Sequence, residues 1–233
     1  MELSIIQESI PRLLHGTVVT LELTAASVAV GLFLAVPFAV MRTHRNPLLW
    51  MPVYAFNFYF RGTPLLVQIF LVYYGSGQFQ SFLTKVGLWT FFEEAAFCAV
   101  LTLTLNTAAY TCEILRGGIE AIPYGEVEAA KACGMSGLLL YRRIILPKAF
   151  RLAWPAYTNE VVFLLQATSL VSIITIMDIT GAARLIASRS FAFYEVYITA
   201  AIFYLILVYG ILFVFRKVEY RFTGHLRTPE ANG

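Results

Sequence analysis

The sequence predicts an all-α integral membrane protein with about five transmembrane helices, and three observations carry that prediction. Hydrophobic residues fill 59% of 233 positions and charged residues 13%, against about 45–50% and about 25% in a soluble globular domain. Charges are spaced so as to leave five long uncharged runs, each close to the ~20 apolar residues a helix needs to cross a bilayer core. The runs are continuous, whereas the strands of a membrane barrel alternate polar and apolar residues. With 17 basic and 14 acidic residues, the chain cannot coat a soluble fold of this length in charge. That excludes an ordinary cytosolic enzyme, a disordered chain and a nucleic-acid binder with a basic face.

The first span is read at Leu23–Met41, where Gly31, Ala25, Ala26 and Ala29 suggest close helix packing. Asn46–Phe60 is uncharged and aromatic but short for a span. With Pro47, Trp50, Pro52, Tyr54 and Tyr59 it reads as an interfacial segment; a sixth span is the rival reading, with a poorer charge balance. The second span is Gly62–Thr84, opening with Thr63 as N-cap and Pro64 as the first helical residue. The third is Ala95–Cys112, the fourth Val161–Met177 and the fifth Val196–Phe215. Trp89, Phe91 and Phe92 suit an outer interface belt.

Five spans place the two ends on opposite sides. On that count 13 of the 17 basic residues share one side, leaving Arg12, Lys85, Arg184 and Arg189 on the other. Basic residues mark the cytoplasmic side, so the N-terminus is expected outside and the C-terminal tail, 217–233, inside. Glu2 and Glu8, without an early basic cluster, argue against a cleaved signal peptide.

No chemical site is expected in the chain itself. There is no P-loop, no H-E-x-x-H and no G-x-S-x-G. Cys98, Cys112 and Cys133 form no C-x-x-C pair, and His15, His44 and His225 fall at span edges or in the tail. Catalytic, cofactor and metal sites are therefore expected to be absent.

The longest cytoplasmic connection, 117–150, has internal structure. Pro123-Tyr124-Gly125 predicts a turn, and Glu126–Cys133 a short helix that Gly134 ends in a left-handed conformation. Ser136 is expected to cap a second helix through Leu138, Leu139, Leu140 and Tyr141, with Pro147 as its stop. Apolar Ala129, Ala130, Leu138 and Leu139 lie beside Glu128, Lys131, Arg142 and Arg143. Pattern alone fits equally an amphipathic hairpin on lipid headgroups and a docking knob for a cytoplasmic partner.

The loop reads Glu128-Ala129-Ala130, then Gly134 after three residues, then Ile144-x-Leu146-Pro147 after nine more. In elements and spacing it resembles the E-A-A loop of membrane permeases in ABC importers. Arg61-Gly62-Thr63-Pro64-Leu65 with Gln68, Ala108-Ala109-Tyr110 with Glu113 and Arg116-Gly117-Gly118, and Asn159-Glu160 with Thr168-Ser169-Leu170 are similar to the polar amino-acid branch. The nearest likeness is to permeases for histidine, arginine, lysine, ornithine and opines. The resemblance covers about Thr17 to Arg216, a permease domain of 17–216. It implies the type I importer fold in a bacterial inner membrane and a second permease, like or unlike. It also implies two ATPase subunits that bind ATP and Mg, and an extracytoplasmic solute-binding protein. Glu128, Ala129, Ala130, Gly134, Ile144, Leu146 and Pro147 would then couple to the ATPase. One departure is Gln166, where many relatives carry a lysine two residues before the T-S-L triplet.

Ionisable groups inside spans are costly and usually functional. A cationic substrate needs an anionic or hydrogen-bonding lining. Glu160 is the first candidate, with Leu164 and Thr168 on its helix face; Asn106 and Tyr110, on a stripe with Glu113, and Ser169 complete the pathway set. Interhelical hydrogen bonding is an equal reading for Asn106 and Thr168. The expected function is that of a permease subunit of an ATP-driven importer for polar amino acids, basic ones foremost, or opines. A self-contained ion-coupled carrier or channel is the alternative, and a membrane scaffold a third.

Overall fold

The computed structural model describes residues 3–223, and these are almost entirely helical. α1 (Leu3–Arg42) runs as one rod through Pro11 and Pro37. α2 (Pro47–Gly62) and α3 (Leu65–Gln78) follow, bent by 103° at their junction. Short α4 (Gln80–Lys85) and α5 (Trp89–Phe92) lead to α6 (Ala95–Glu120). α7 (Tyr124–Ala132) and α8 (Gly137–Leu140) form the hairpin, and a π-helical turn, Tyr141–Ile145, feeds α9 (Leu146–Ala167). A 3-10 segment, Thr168–Ile174, α10 (Ile179–Ser190) and α11 (Phe193–Thr223) complete the chain.

Among the described residues four stretches are long and apolar enough to span: Ser9–Arg42, Ala95–Glu120, Gly137–Ile174 and Phe193–Arg221. The α2–α3 pair makes a fifth if its halves form one span. The expected Gly62–Thr84 run is not one helix. α3 has 14 residues, about 21 Å of rise, which is short of a ~30 Å core. Pro64 is the cause: it has no N–H and forces the residue before it out of the helical region. Thr63 accordingly sits at φ −115°, ψ 148° and closes α2, while Pro64 takes the N-cap of α3, so the expected cap is displaced by one residue.

Asn46–Phe60, with Asn46 as N-cap, lies within one helix that packs into the bundle. Its helix buries Val53 and Asn57 against α1 and α6. Its last turn is bonded to Asn106, near the middle of α6. The end of α2, with Arg61, therefore lies level with the middle of α6.

α6 is the hub, packed by α1, α9, α3 and α2. The small residues that let α1 approach it are Ser27, Gly31, Ala35 and Ala39, all buried at four-residue spacing. A Cβ on Gly31 would stand 2.5 Å from Thr107 Cγ2. Ala25, Ala26 and Ala29, expected with Gly31 at a close helix contact, are exposed in this chain, because 3.6 residues per turn puts them on faces other than that of Gly31.

Pro147 does not stop a helix. It lies at the start of α9, inside a continuous helical run, directly after the π turn that joins α8 to α9 and already interrupts the regular i→i−4 ladder. Ser136 holds the N-cap position of α8, but its side chain makes no capping bond. α10, unforeseen from the sequence, is capped by the buried Asp178. Its Oδ1 accepts from the Gly181 amide (2.8 Å) and its Oδ2 from the Tyr204 hydroxyl (3.1 Å). The tail is described only to Thr223, as the end of α11; Glu2, His225 and Arg227 lie outside the described residues.

Candidate functional site

The break between α2 and α3 frees backbone carbonyls inside the bundle, and two amide side chains satisfy them. Gln68 Nε2 donates to Phe60 O (2.8 Å), Thr63 O (3.1 Å) and Thr63 Oγ1 (2.8 Å). Asn106 Nδ2 donates to Phe60 O (3.1 Å) and to Gln68 Oε1 (3.0 Å). An irregular backbone at membrane depth persists only where protein groups replace the lost bonds. Asn106, expected as pathway lining, thus also holds the bend.

Beside this junction lies a cavity of about 360 Å³ lined by Asn106, Tyr110, Glu160, Phe163, Leu164 and Ala167. Glu160 is its one charged lining residue and accepts a hydrogen bond from Thr107 Oγ1 (3.0 Å). The size falls in the range of small-molecule sites, which combine apolar walls with a few placed polar groups. Glu160 and Thr107 place it near the middle of α6.

The sequence grouping is therefore met in part. Glu160, Asn106 and Tyr110 converge. Thr168 is fully buried, with its hydroxyl on Leu165 O (2.7 Å), and Ser169 is half-buried outside the lining. The reason is local: α9 tightens to a 3-10 helix at Thr168, so four-residue spacing no longer keeps one face.

Glu113 serves a different cluster. Its Oε1 accepts from Arg42 Nε (3.1 Å) and Asn57 Nδ2 (2.7 Å), and its Oε2 from Arg116 Nε (2.7 Å). Arg116 also reaches Glu120 (2.6 Å). This ties the ends of α1 and α2 to the lower part of α6. A second cavity of about 340 Å³ opens there, lined by Arg42, Tyr54, Asn57, Phe58, Arg61, Gly62 and Glu113. The sequence signal was available, since Arg42 and Glu113 bound two of the uncharged runs. Their pairing is a tertiary fact.

The loop residues form a second candidate site. Gly134 adopts φ +81° and ends the hairpin's first helix, as its position predicted. Ala130 is buried with Ile122, Leu140, Ile145 and Ala149, and Ile144 packs on that cluster. Lys148 pairs with Glu126 across the hairpin. Glu128, Ala129, Tyr124, Leu138 and Leu139 are exposed. Leu146 and Pro147 form the first turn of α9, so the hairpin's second arm runs on through the π turn into the helix that carries Glu160.

Comparison with known proteins is consistent in sequence and in shape. The family described as "Binding-protein-dependent transport system inner membrane component" matches residues 27–223. The nopaline transport system permease protein NocM of Agrobacterium fabrum is 45% identical over 227 residues, 97% of this chain and 94% of the relative. The histidine/lysine/arginine/ornithine transport system permease protein HisM of Escherichia coli K12 is 40% identical over 212 residues, 91% and 89% of the two chains. A solved amino acid ABC transporter with histidines superposes with a TM-score of 0.81 at 30% identity, covering 95% of this chain and 98% of the other. The MetNI methionine ABC transporter, at 21% identity and a TM-score of 0.75, shares the fold.

Proposed function

The chain belongs to the inner membrane components of binding-protein-dependent transport systems, and from that premise we propose that it imports cationic amino acids or the related opines. It is a permease subunit, not an enzyme. A partner ATPase pair binds ATP and Mg and hydrolyses the nucleotide, an extracytoplasmic binding protein delivers substrate, and a second permease completes the pathway. The observation that carries the substrate class is the cavity with Glu160 as its one charged lining residue. A carboxylate in a largely apolar wall at span depth favours a cation over a neutral or anionic solute. The relative named for histidine, lysine, arginine and ornithine agrees with that class. Coupling runs through Glu128, Ala129, Ala130, Gly134, Ile144, Leu146 and Pro147. The exposed apolar tip meets the ATPase, and the continuous α8–α9 rod carries its motion to Glu160. The N-terminus lies outside and the tail in the cytoplasm, with Arg142, Arg143 and Arg151 on the cytoplasmic side.

Glu160→Gln keeps shape and removes charge, so it tests the substrate class. Uptake of arginine and of a neutral amino acid is compared in vesicles holding the assembled complex. The expected result is a loss of arginine uptake of about tenfold or more, the scale of one buried charge-assisted contact, with a smaller effect on the neutral solute. Equal loss for both would assign Glu160 to helix packing, and no loss would remove it from the pathway.

A further inference from the structure

A cationic amino acid brings an α-carboxylate into the same space as its positive side chain, and the cavity lining offers that anion no cation. Arg61 stands next to it. It occupies the last turn of α2, and Phe60, the residue before it, is hydrogen-bonded to Asn106. Its guanidinium carbon lies 5.2 Å from the centroid of the Tyr110 ring, and Tyr110 lines the cavity of Glu160. Arg61 itself lines the adjoining cavity. Tyr110 is thus shared by the two groups, and Arg61 is near enough for its charge to act on Glu160.

Arg61 is exposed, and no carboxylate lies within ion-pair distance of it among the described residues. The other arginines of this region, Arg42 and Arg116, are both held by Glu113. Arg61 stacks on the Tyr110 ring and its charge acts on Glu160 from beyond ion-pair distance, so its guanidinium donors are filled by no carboxylate among the described residues. A guanidinium presents a planar fork suited to a carboxylate. Substrate sites at broken helices near the bilayer midplane follow the same logic.

We propose that Arg61 is the carboxylate anchor of the translocation site, holding the α-carboxylate of the substrate while Glu160 holds its cationic end. The assignment rests on the proposed pathway through the Glu160 cavity and adds the second pole of the site. Together the two residues select a zwitterionic head with a positive side chain over a simple amine.

The test is equilibrium binding to the assembled permease–ATPase complex in nanodiscs, without the solute-binding protein. The probes are L-arginine and agmatine, which keeps the guanidinium and lacks the carboxylate. Arg61→Gln is expected to weaken arginine about tenfold or more and to leave agmatine within about twofold; Arg61→Lys, which keeps the charge without the fork, restores only part of the arginine affinity. Glu160→Gln is expected to weaken both probes. On the unaltered complex, arginine methyl ester binds as weakly as arginine does to Arg61→Gln, which tests the anchor without any substitution. Equal loss of both probes in Arg61→Gln, no loss of either, or an ester as tight as arginine would each overturn the anchor. If Glu160→Gln still weakens both probes, the pathway reading survives that failure. If the unaltered complex binds neither probe, both fall.

Discussion

At the scale of single residues, the charged side chains inside the spans divide into two groups by their partners. Glu113 is fully engaged: two arginines and Asn57 surround it, and its side chain is 13% exposed. Glu160 has one hydroxyl donor, Thr107, and faces a cavity. The first arrangement holds helices together, and the second leaves capacity for a ligand. Glu113→Gln leaves Arg42 and Arg116 without their carboxylate in a partly buried site, and breaking such a cluster costs on the order of 3 kcal/mol. The assembled complex should then unfold at a clearly lower temperature in a thermal scan, with arginine affinity little changed. A variant as stable as the parent would mean that the cluster is not structural. Asp178 is a comparable case. An acidic residue just before a helix is a readable N-cap signal, but its bond to Tyr204 on α11 has no trace in the sequence.

At the scale of elements, the hydrophobic runs were legible because charge is excluded from lipid, and that exclusion acts locally along the chain. The α2–α3 bend was not. Arg61-Gly62-Thr63-Pro64 looks like an ordinary boundary between segments, and nothing local says that Asn106 and Gln68 will stitch its carbonyls halfway across the bundle. The hairpin was legible in its glycine and misread at its proline: Gly134 is left-handed as expected, while Pro147 opens α9 instead of closing the helix before it. This continuity sharpens the coupling account. At φ +81° a β-branched side chain is strained, and the distortion falls at the turn that orients the exposed tip. Gly134→Val should insert and assemble the spans normally and yet reduce substrate-stimulated ATP hydrolysis severalfold in the reconstituted complex. Full stimulation with normal assembly would show that the hairpin is not the coupling element.

At the scale of the whole molecule, much apolar surface remains exposed on the isolated chain. On α11, Tyr194, Ile198, Ile202, Leu205, Ile206, Tyr209 and Phe213 are uncovered, as expected of a subunit surrounded by lipid and other chains. The proposed orientation rests on the distribution of basic residues. Cys133 is exposed at the hairpin, while Cys98 and Cys112 are buried, so it is a natural probe. In cells expressing the chain without its ATPase, with Cys98 and Cys112 replaced, a membrane-impermeant thiol reagent should modify Cys133 only after lysis. Modification in intact cells would invert the topology and remove the hairpin from the cytoplasm.

The account's central claim is that this chain forms a substrate pathway driven by a separate ATPase. Its most direct test is arginine uptake into proteoliposomes containing the permease complex, with ATP supplied on the hairpin side and binding protein on the other. Uptake should require ATP and all components, and stop when the ATPase subunits are omitted. Arginine accumulation by vesicles holding this chain without an ATPase, driven by an ion gradient, would contradict it.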